Sequence, residues 1–130
     1  MNILGVDYGK KRIGLAWTDT AIGVVLPFGV VKNNESRIMN QELVDVIEKE
    51  KVDRMIVGLP VGLDGKENAN TTVVRVFVQE LKKLVRIPIE FIDERFTSAQ
   101  ADRMSGGDAT RDEKAAMVIL QSFIDRKPKS

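Results

Sequence analysis

The chain of 130 residues contains neither cysteine nor histidine. Their absence removes disulfides, the thiolate nucleophile, the imidazole general base and every zinc site built on nitrogen or sulfur. Hard cations held by carboxylates are the main metal chemistry left. An excess of either charge is lacking too: 20 basic residues nearly cancel 19 acidic ones. No overall field announces a nucleic acid or a membrane, and an anionic ligand must be held by local patches. No apolar run approaches the ~20 residues of a spanning helix. The first apolar run begins at Ile3 without a basic lead, so the expectation is a soluble, cytoplasmic protein with no membrane partner. Internal repeats, low-complexity segments and linkers rich in Pro, Gly or Ser are missing as well. The length suits one core, and residues 1–130 are read as a single domain.

What is there alternates between strand and helix patterns. Asn2 to Val6 is an almost wholly apolar run that stops at Asp7, and Ile13 to Trp17 is a second one beyond a polar turn, as in a hairpin. Val24 to Val31 reads as a third strand, with Pro27 marking an edge or a bulge. From Ser36 to Glu50, Met39, Leu43, Val46 and Ile47 recur at helical spacing, and Met55 to Gly58 reads as a buried strand. A second helix, Thr72 to Val85, presents Val74, Phe77, Val78, Leu81 and Val85 on one face before Ile87 to Ile92 extends again. Thr97 with Gln100, and Thr110 with Glu113, have capping-box spacing and predict a helical last third, interrupted by the loop Ser105 to Asp108. The predicted fold is α/β: a mixed five-stranded sheet, with a three-strand antiparallel meander and two parallel strands, flanked by helices.

Three acids stand out. Asp7 ends the first strand, where an Asp can also do no more than open a turn. Glu94, in the run Asp93-Glu94-Arg95, follows a strand at the edge where open α/β sheets bind ligands; the bland alternative is a solvated loop whose charges pair weakly. Asp112 precedes Ala115, Ala116, Ile119, Leu120 and Phe123 by three, four, seven, eight and eleven residues, so it continues an apolar stripe toward the sheet. A first-turn helix acid also suits the macrodipole, but that has no preference for this face. If the acids converge, two charges about 4 Å apart repel by about 4 kcal/mol at an effective dielectric near 20. A proton or a cation must relieve that. Mg²⁺ or Mn²⁺ suits an all-oxygen site and serves phosphodiester hydrolysis without histidine.

The turn Tyr8-Gly9-Lys10-Lys11-Arg12 sets backbone amides and three cations beside Asp7, and Gly9, Lys10, Lys11 and Arg12 are candidates for gripping a phosphate backbone. Arg95 has the fork for a bidentate phosphate contact, and Lys82, Lys83 and Arg86 would extend the track. An ordinary solvated turn and a polar helix end are the competing explanations. Tyr8 and Trp17 have rings able to stack on bases, and neither is assigned a ligand.

Four ordered blocks carry a resemblance over nearly the whole chain: Gly5-Val6-Asp7-Tyr8-Gly9 with Arg12-Ile13-Gly14; Val57-Gly58-Leu59-Pro60 with Asp64-Gly65; Asp93-Glu94-Arg95-Phe96-Thr97-Ser98; and Asp112 with Ala115-Ala116 and Ile119-Leu120-Gln121. Together they resemble the YqgF family. The resemblance implies an RNase H-like fold and a family long described as a Holliday junction resolvase, now regarded as a nuclease maturing the 5′ end of 16S rRNA. It places that family's catalytic and metal-holding acids on Asp7, Glu94 and Asp112. Two departures are visible: Lys66 to Asn70 lacks a glycine often found after the family's D-G turn, and Asp108-Ala109-Thr110-Arg111 precedes Asp112.

The expected function is therefore metal-dependent endonuclease cleavage of structured RNA, precursor 16S rRNA, with the ribosome as a potential partner. A resolvase acting on branched DNA would use the same acids, and a non-catalytic nucleic-acid-binding module is a third possibility. Resolution of a junction calls for a symmetric dimer, and the sequence leaves the oligomeric state open. An actin-like ATPase would share the first block but needs two such lobes.

Overall fold

Residues that alternate in direction and are apolar on both sides make the first strand the centre of the molecule. In the computed structural model, which describes residues 1–62, 64–93 and 109–126, β1 (Asn2–Tyr8) has Ile3, Leu4 and Val6 fully buried. It pairs antiparallel with β2 (Arg12–Asp19) and parallel with β4 (Arg54–Leu59). β3 (Val25–Lys32) pairs antiparallel with β2, and β5 (Ile89–Asp93) pairs parallel with β4, giving the order β3-β2-β1-β4-β5. The expected meander with two parallel strands is present. Pro27 lies on the edge strand β3, where a missing N–H breaks no interior ladder. Beside it the register skips Phe28 between Leu15 and Ala16, so the bulge is present as well.

The helices divide between the two faces. α1 (Ser36–Lys49) and α2 (Ala69–Lys82) bring Met39, Leu43, Val44, Ile47, Val74, Phe77, Val78 and Leu81 into one core with Leu4, Val6, Ile13, Leu15, Met55 and Val57. On α1 the buried set includes Val44, with Val46 only partly buried, a rotation of the predicted face by a fraction of a turn. α3 (Arg111–Arg126) covers the opposite face, where Ala116, Met117, Ile119 and Leu120 meet Ile3, Ala16, Ile56 and Ile92. Val118 is buried too, so α3 is covered on more than the expected stripe.

α2 begins three residues before the predicted start, because its cap is built from unexpected residues. The Asn68 side chain accepts from the backbone N–H groups of Asn70 and Thr71 at 2.9 and 3.2 Å, and Thr71 Oγ1 accepts from the Asn68 N–H at 3.0 Å. The same buried Thr71 hydroxyl donates to the Pro60 carbonyl, fixing the start of α2 to the end of β4. At α3 the predicted capping box is present: Glu113 N–H donates to Thr110 Oγ1 at 3.1 Å, and Thr110 N–H donates to Glu113 Oε1 at 3.0 Å. The other proposed box, Thr97 with Gln100, and the loop Ser105 to Asp108 lie outside the described residues.

Candidate active site

The parallel strands β1, β4 and β5 end at Tyr8, Leu59 and Asp93, so their carboxyl ends share one edge of the sheet. Strand alternation assigns the sides. Ile3 packs toward α3, and a Cβ on Gly5 would meet Ala116 and Leu120 of α3, so Asp7, next in that series, projects on the α3 side. Tyr8 projects the other way, its ring 4.6 Å from that of Phe77 on α2.

Small residues let α3 approach the sheet so closely. An ideal Cβ on Gly14 would lie 2.0 Å from the Asp112 carbonyl oxygen, and one on Gly5 would lie 2.9 Å from the Ala116 carbonyl and from Leu120 Cβ. Gly14 is the cross-strand partner of Asp7, and such partners have Cα atoms about 4.5–5.5 Å apart. The first turn of α3 thus rests on the backbone immediately beside Asp7. Two of the three predicted acids, Asp7 and Asp112, are brought to the same face at the same edge. Glu94 and Arg95 lie outside the described residues.

Asp112 is held by a cation of the hairpin. Arg12 Nε donates to its Oδ2 at 3.0 Å, with 63% of the Arg12 side chain and 30% of the Asp112 side chain exposed. Of the proposed phosphate-gripping residues, Arg12 is therefore engaged with an acid, while Lys10 and Lys11 are exposed at the tip. The tip is tight: Gly9 N–H donates to the Arg12 carbonyl at 3.0 Å, and a Cβ on Gly9 would come within 2.4 Å of that oxygen. Asn33, just after β3, braces it twice, donating from its N–H to the Lys11 carbonyl at 2.9 Å and from Nδ2 to the Gly9 carbonyl at 2.6 Å. Nothing local in the sequence marks Asn33, since its partners are more than 20 residues away.

Lys82, Lys83 and Arg86 do not extend this track. α2 starts at this edge of the sheet and runs 14 residues away from it, about 20 Å at the helical rise. Lys83 pairs with Glu80 at 3.3 Å there.

Among the described residues, no group of three or more Asp or Glu side chains is placed to hold a metal ion. Asp7 and Asp112 supply carboxylate oxygens alone, and that chemistry fits a hard divalent cation such as Mg²⁺ or Mn²⁺ and not zinc.

The order of the strands, the helix crossing the β1 end and the acids at the carboxyl edge define an RNase H-like fold of the resolvase type. Thermus thermophilus RuvC in complex with a Holliday junction substrate superposes with a TM-score of 0.64 at 13% identity, over 97% of this chain and 95% of that one. The fowlpox virus resolvase in complex with Holliday junction DNA gives 0.61 at 13% identity, over 96% of this chain and 97% of that one. At the level of family, the profile described as "RuvX: Holliday junction resolvase" matches residues 1–126, and the chain belongs to that family. Two curated relatives bear the name "Putative pre-16S rRNA nuclease". The one from Maridesulfovibrio salexigens is 36% identical, over 97% of this chain and 99% of its own. The one from Phocaeicola vulgatus is 39% identical, over 96% of each. The family description and the relatives' names differ on the nucleic acid and agree on cutting it.

Proposed function

We propose that the chain is a metal-dependent endonuclease that hydrolyses phosphodiester bonds in structured RNA, with the 5′ end of precursor 16S rRNA as its substrate. The observation that carries this is the seating of Asp112 on Gly14, the cross-strand partner of Asp7. Two carboxylates on one face of a parallel strand edge are suited to holding Mg²⁺ or Mn²⁺. When bound, such a cation neutralises charge on the phosphate and acidifies a water. Asp7 and Asp112 orient the site from β1 and α3. Glu94 is the third acid in this reading, supported by the resemblance that places the family's third acid on it and by β5 ending one residue earlier at the shared carboxyl edge. Lys10 and Lys11 of the Gly9 to Arg12 turn, both exposed, hold the flanking phosphates, and Arg95 is assigned the same task.

RNA is favoured over branched DNA because the relatives named for rRNA share 36–39% identity over nearly their full length, whereas the junction-bound structures share 13%. The experiment compares 5′-extended 16S rRNA precursor, free and within the small ribosomal subunit, with a four-way DNA junction, each with Mn²⁺ or Mg²⁺. Metal-dependent RNA cleavage that falls at least 100-fold in Asp7→Asn is expected, about the loss of 3 kcal/mol of transition-state stabilisation. Cleavage of the junction alone would replace RNA with DNA as substrate, and equal cleavage by Asp7→Asn would remove Asp7 from the chemistry.

A further inference from the structure

On the face of the sheet away from Asp7, a hollow of about 270 Å³ opens at the same edge, lined by Tyr8, Gly9, Lys10, Pro60, Asn70 and Val73. Its lining is apolar at Tyr8, Pro60 and half-exposed Val73, and polar at the exposed Lys10 and Asn70. Tyr8 is backed by Phe77 at 4.6 Å, which holds its ring as a fixed platform. A second hollow of about 260 Å³ shares Tyr8 and Val73 with it and is also lined by Asn40, whose Oδ1 is buried with no hydrogen-bond partner among the described residues. An unmatched buried acceptor calls for a donor.

We propose that this hollow takes one unstacked base of the same RNA strand whose phosphate lies at Asp7 and Asp112. The inference rests on the nuclease reading above and adds a second contact point. Asp7 and Tyr8 are consecutive residues facing opposite sides of one strand end, so a strand bent over that edge places a phosphate on the α3 side and a neighbouring base against Tyr8. Exposed Lys10, in the lining of the hollow, takes a phosphate next to that base, while ring, proline and valine stack on any base without reading its sequence. A base held there must be out of its helix, so the hollow selects a single-stranded or bulged nucleotide next to the cut.

The test uses full-length protein carrying Asp7→Asn, so that RNA survives, and a labelled 12-nucleotide single-stranded oligoribonucleotide in which each base in turn is replaced by an abasic site. Stacking predicts one or two positions at which the abasic change weakens binding on the order of tenfold. Val73→Trp, on a half-exposed helix position, fills the hollow and should weaken the intact RNA by a similar factor while abolishing the abasic dependence. Ultraviolet crosslinking should then join Tyr8 to a base in the parent and not in Val73→Trp. Abasic effects that are uniform along the RNA, or unchanged by Val73→Trp, would overturn the proposal and leave the groove to a protein partner. Failure of precursor cleavage alongside a Val73-dependent abasic effect would instead overturn the nuclease reading and keep the hollow.

Discussion

Replacing Gly14 by alanine should cost activity out of proportion to stability. The added methyl would start 2.0 Å from the Asp112 carbonyl, so the first turn of α3 must retreat by at least 1.0 Å to reach even the 3.0 Å that real Cβ atoms essentially never pass below. Overpacking of this kind typically costs about 1–3 kcal/mol, and the strand recovers about 0.5–1 kcal/mol from the lost glycine entropy. The net of about 0–2.5 kcal/mol lowers Tm by up to about 10 °C for a chain of this size. Asp112 travels with the turn, and a 1 Å misplacement of a positioning group can cost about 100-fold in rate. Gly5→Ala is the control: its methyl meets Ala116 and Leu120 at 2.9 Å, in the middle of the helix, and a far smaller retreat relieves it. Thermal melts and single-turnover cleavage at 25 °C, below both melting temperatures, should show both variants destabilised and only Gly14→Ala slowed on the order of 100-fold. Wild-type cleavage by Gly14→Ala, or an equal loss in Gly5→Ala, would refute the link between helix seating and catalysis.

Arg12→Ala removes a half-exposed ion pair and should change stability by less than about 1 kcal/mol. Because Arg12 and a cation compete for Asp112, calorimetric titration should show tighter Mn²⁺ binding in this variant while RNA cleavage falls; unchanged Mn²⁺ affinity would mean that Asp112 is not a ligand. Asn33→Ala deletes the 2.6 Å bond to the Gly9 carbonyl and should cost about 0.5–1.5 kcal/mol. Its KM for RNA should rise more than its kcat falls, and a pure kcat loss would speak against a role for the tip in binding. Glu67 accepts from Arg75 Nε and Nη2 at 2.7 and 2.8 Å, and that hydrogen bonding holds its carboxyl below the ordinary 4.5. The depressed folded-state value means the contribution is present above 4.5 and disappears as pH falls through the lower value. The Tm difference between wild type and Glu67→Gln should therefore be present at pH 7 and shrink as the pH falls below 4.5, and a difference that does not shrink would point instead to the packing of Arg75 over the Phe91 ring, 5.3 Å from its centroid.

Much of the fold was legible because burial imposes period and length. β1 and β4 are continuous apolar runs because they are covered on both faces, and Pro27 marked β3 as an edge by its missing donor. Asp112 was readable from its offsets along α3, which the helix geometry converts directly into a face. Element starts were less legible: α2 opens at Asn68 through a box whose third residue is Thr71 and not Glu or Gln, and whose hydroxyl is committed to Pro60. Arg12 was expected at phosphate and is found on Asp112, since a contact across 100 residues leaves no local pattern. Asn33 was invisible for the same reason.

The order in which the chain leaves the ribosome gives the late position of α3 a consequence for timing. The central strand β1 is made before the other described elements, yet Ile3, Ala16, Ile56 and Ile92 are covered by α3, the last described helix in chain order. Until that helix docks, a nascent chain holds Asp7 without Asp112. Long-range closure of this kind is slow relative to local helix and hairpin formation. On the nuclease reading proposed above, such a chain would lack the paired Asp112, and so its full metal site, until α3 is free to fold.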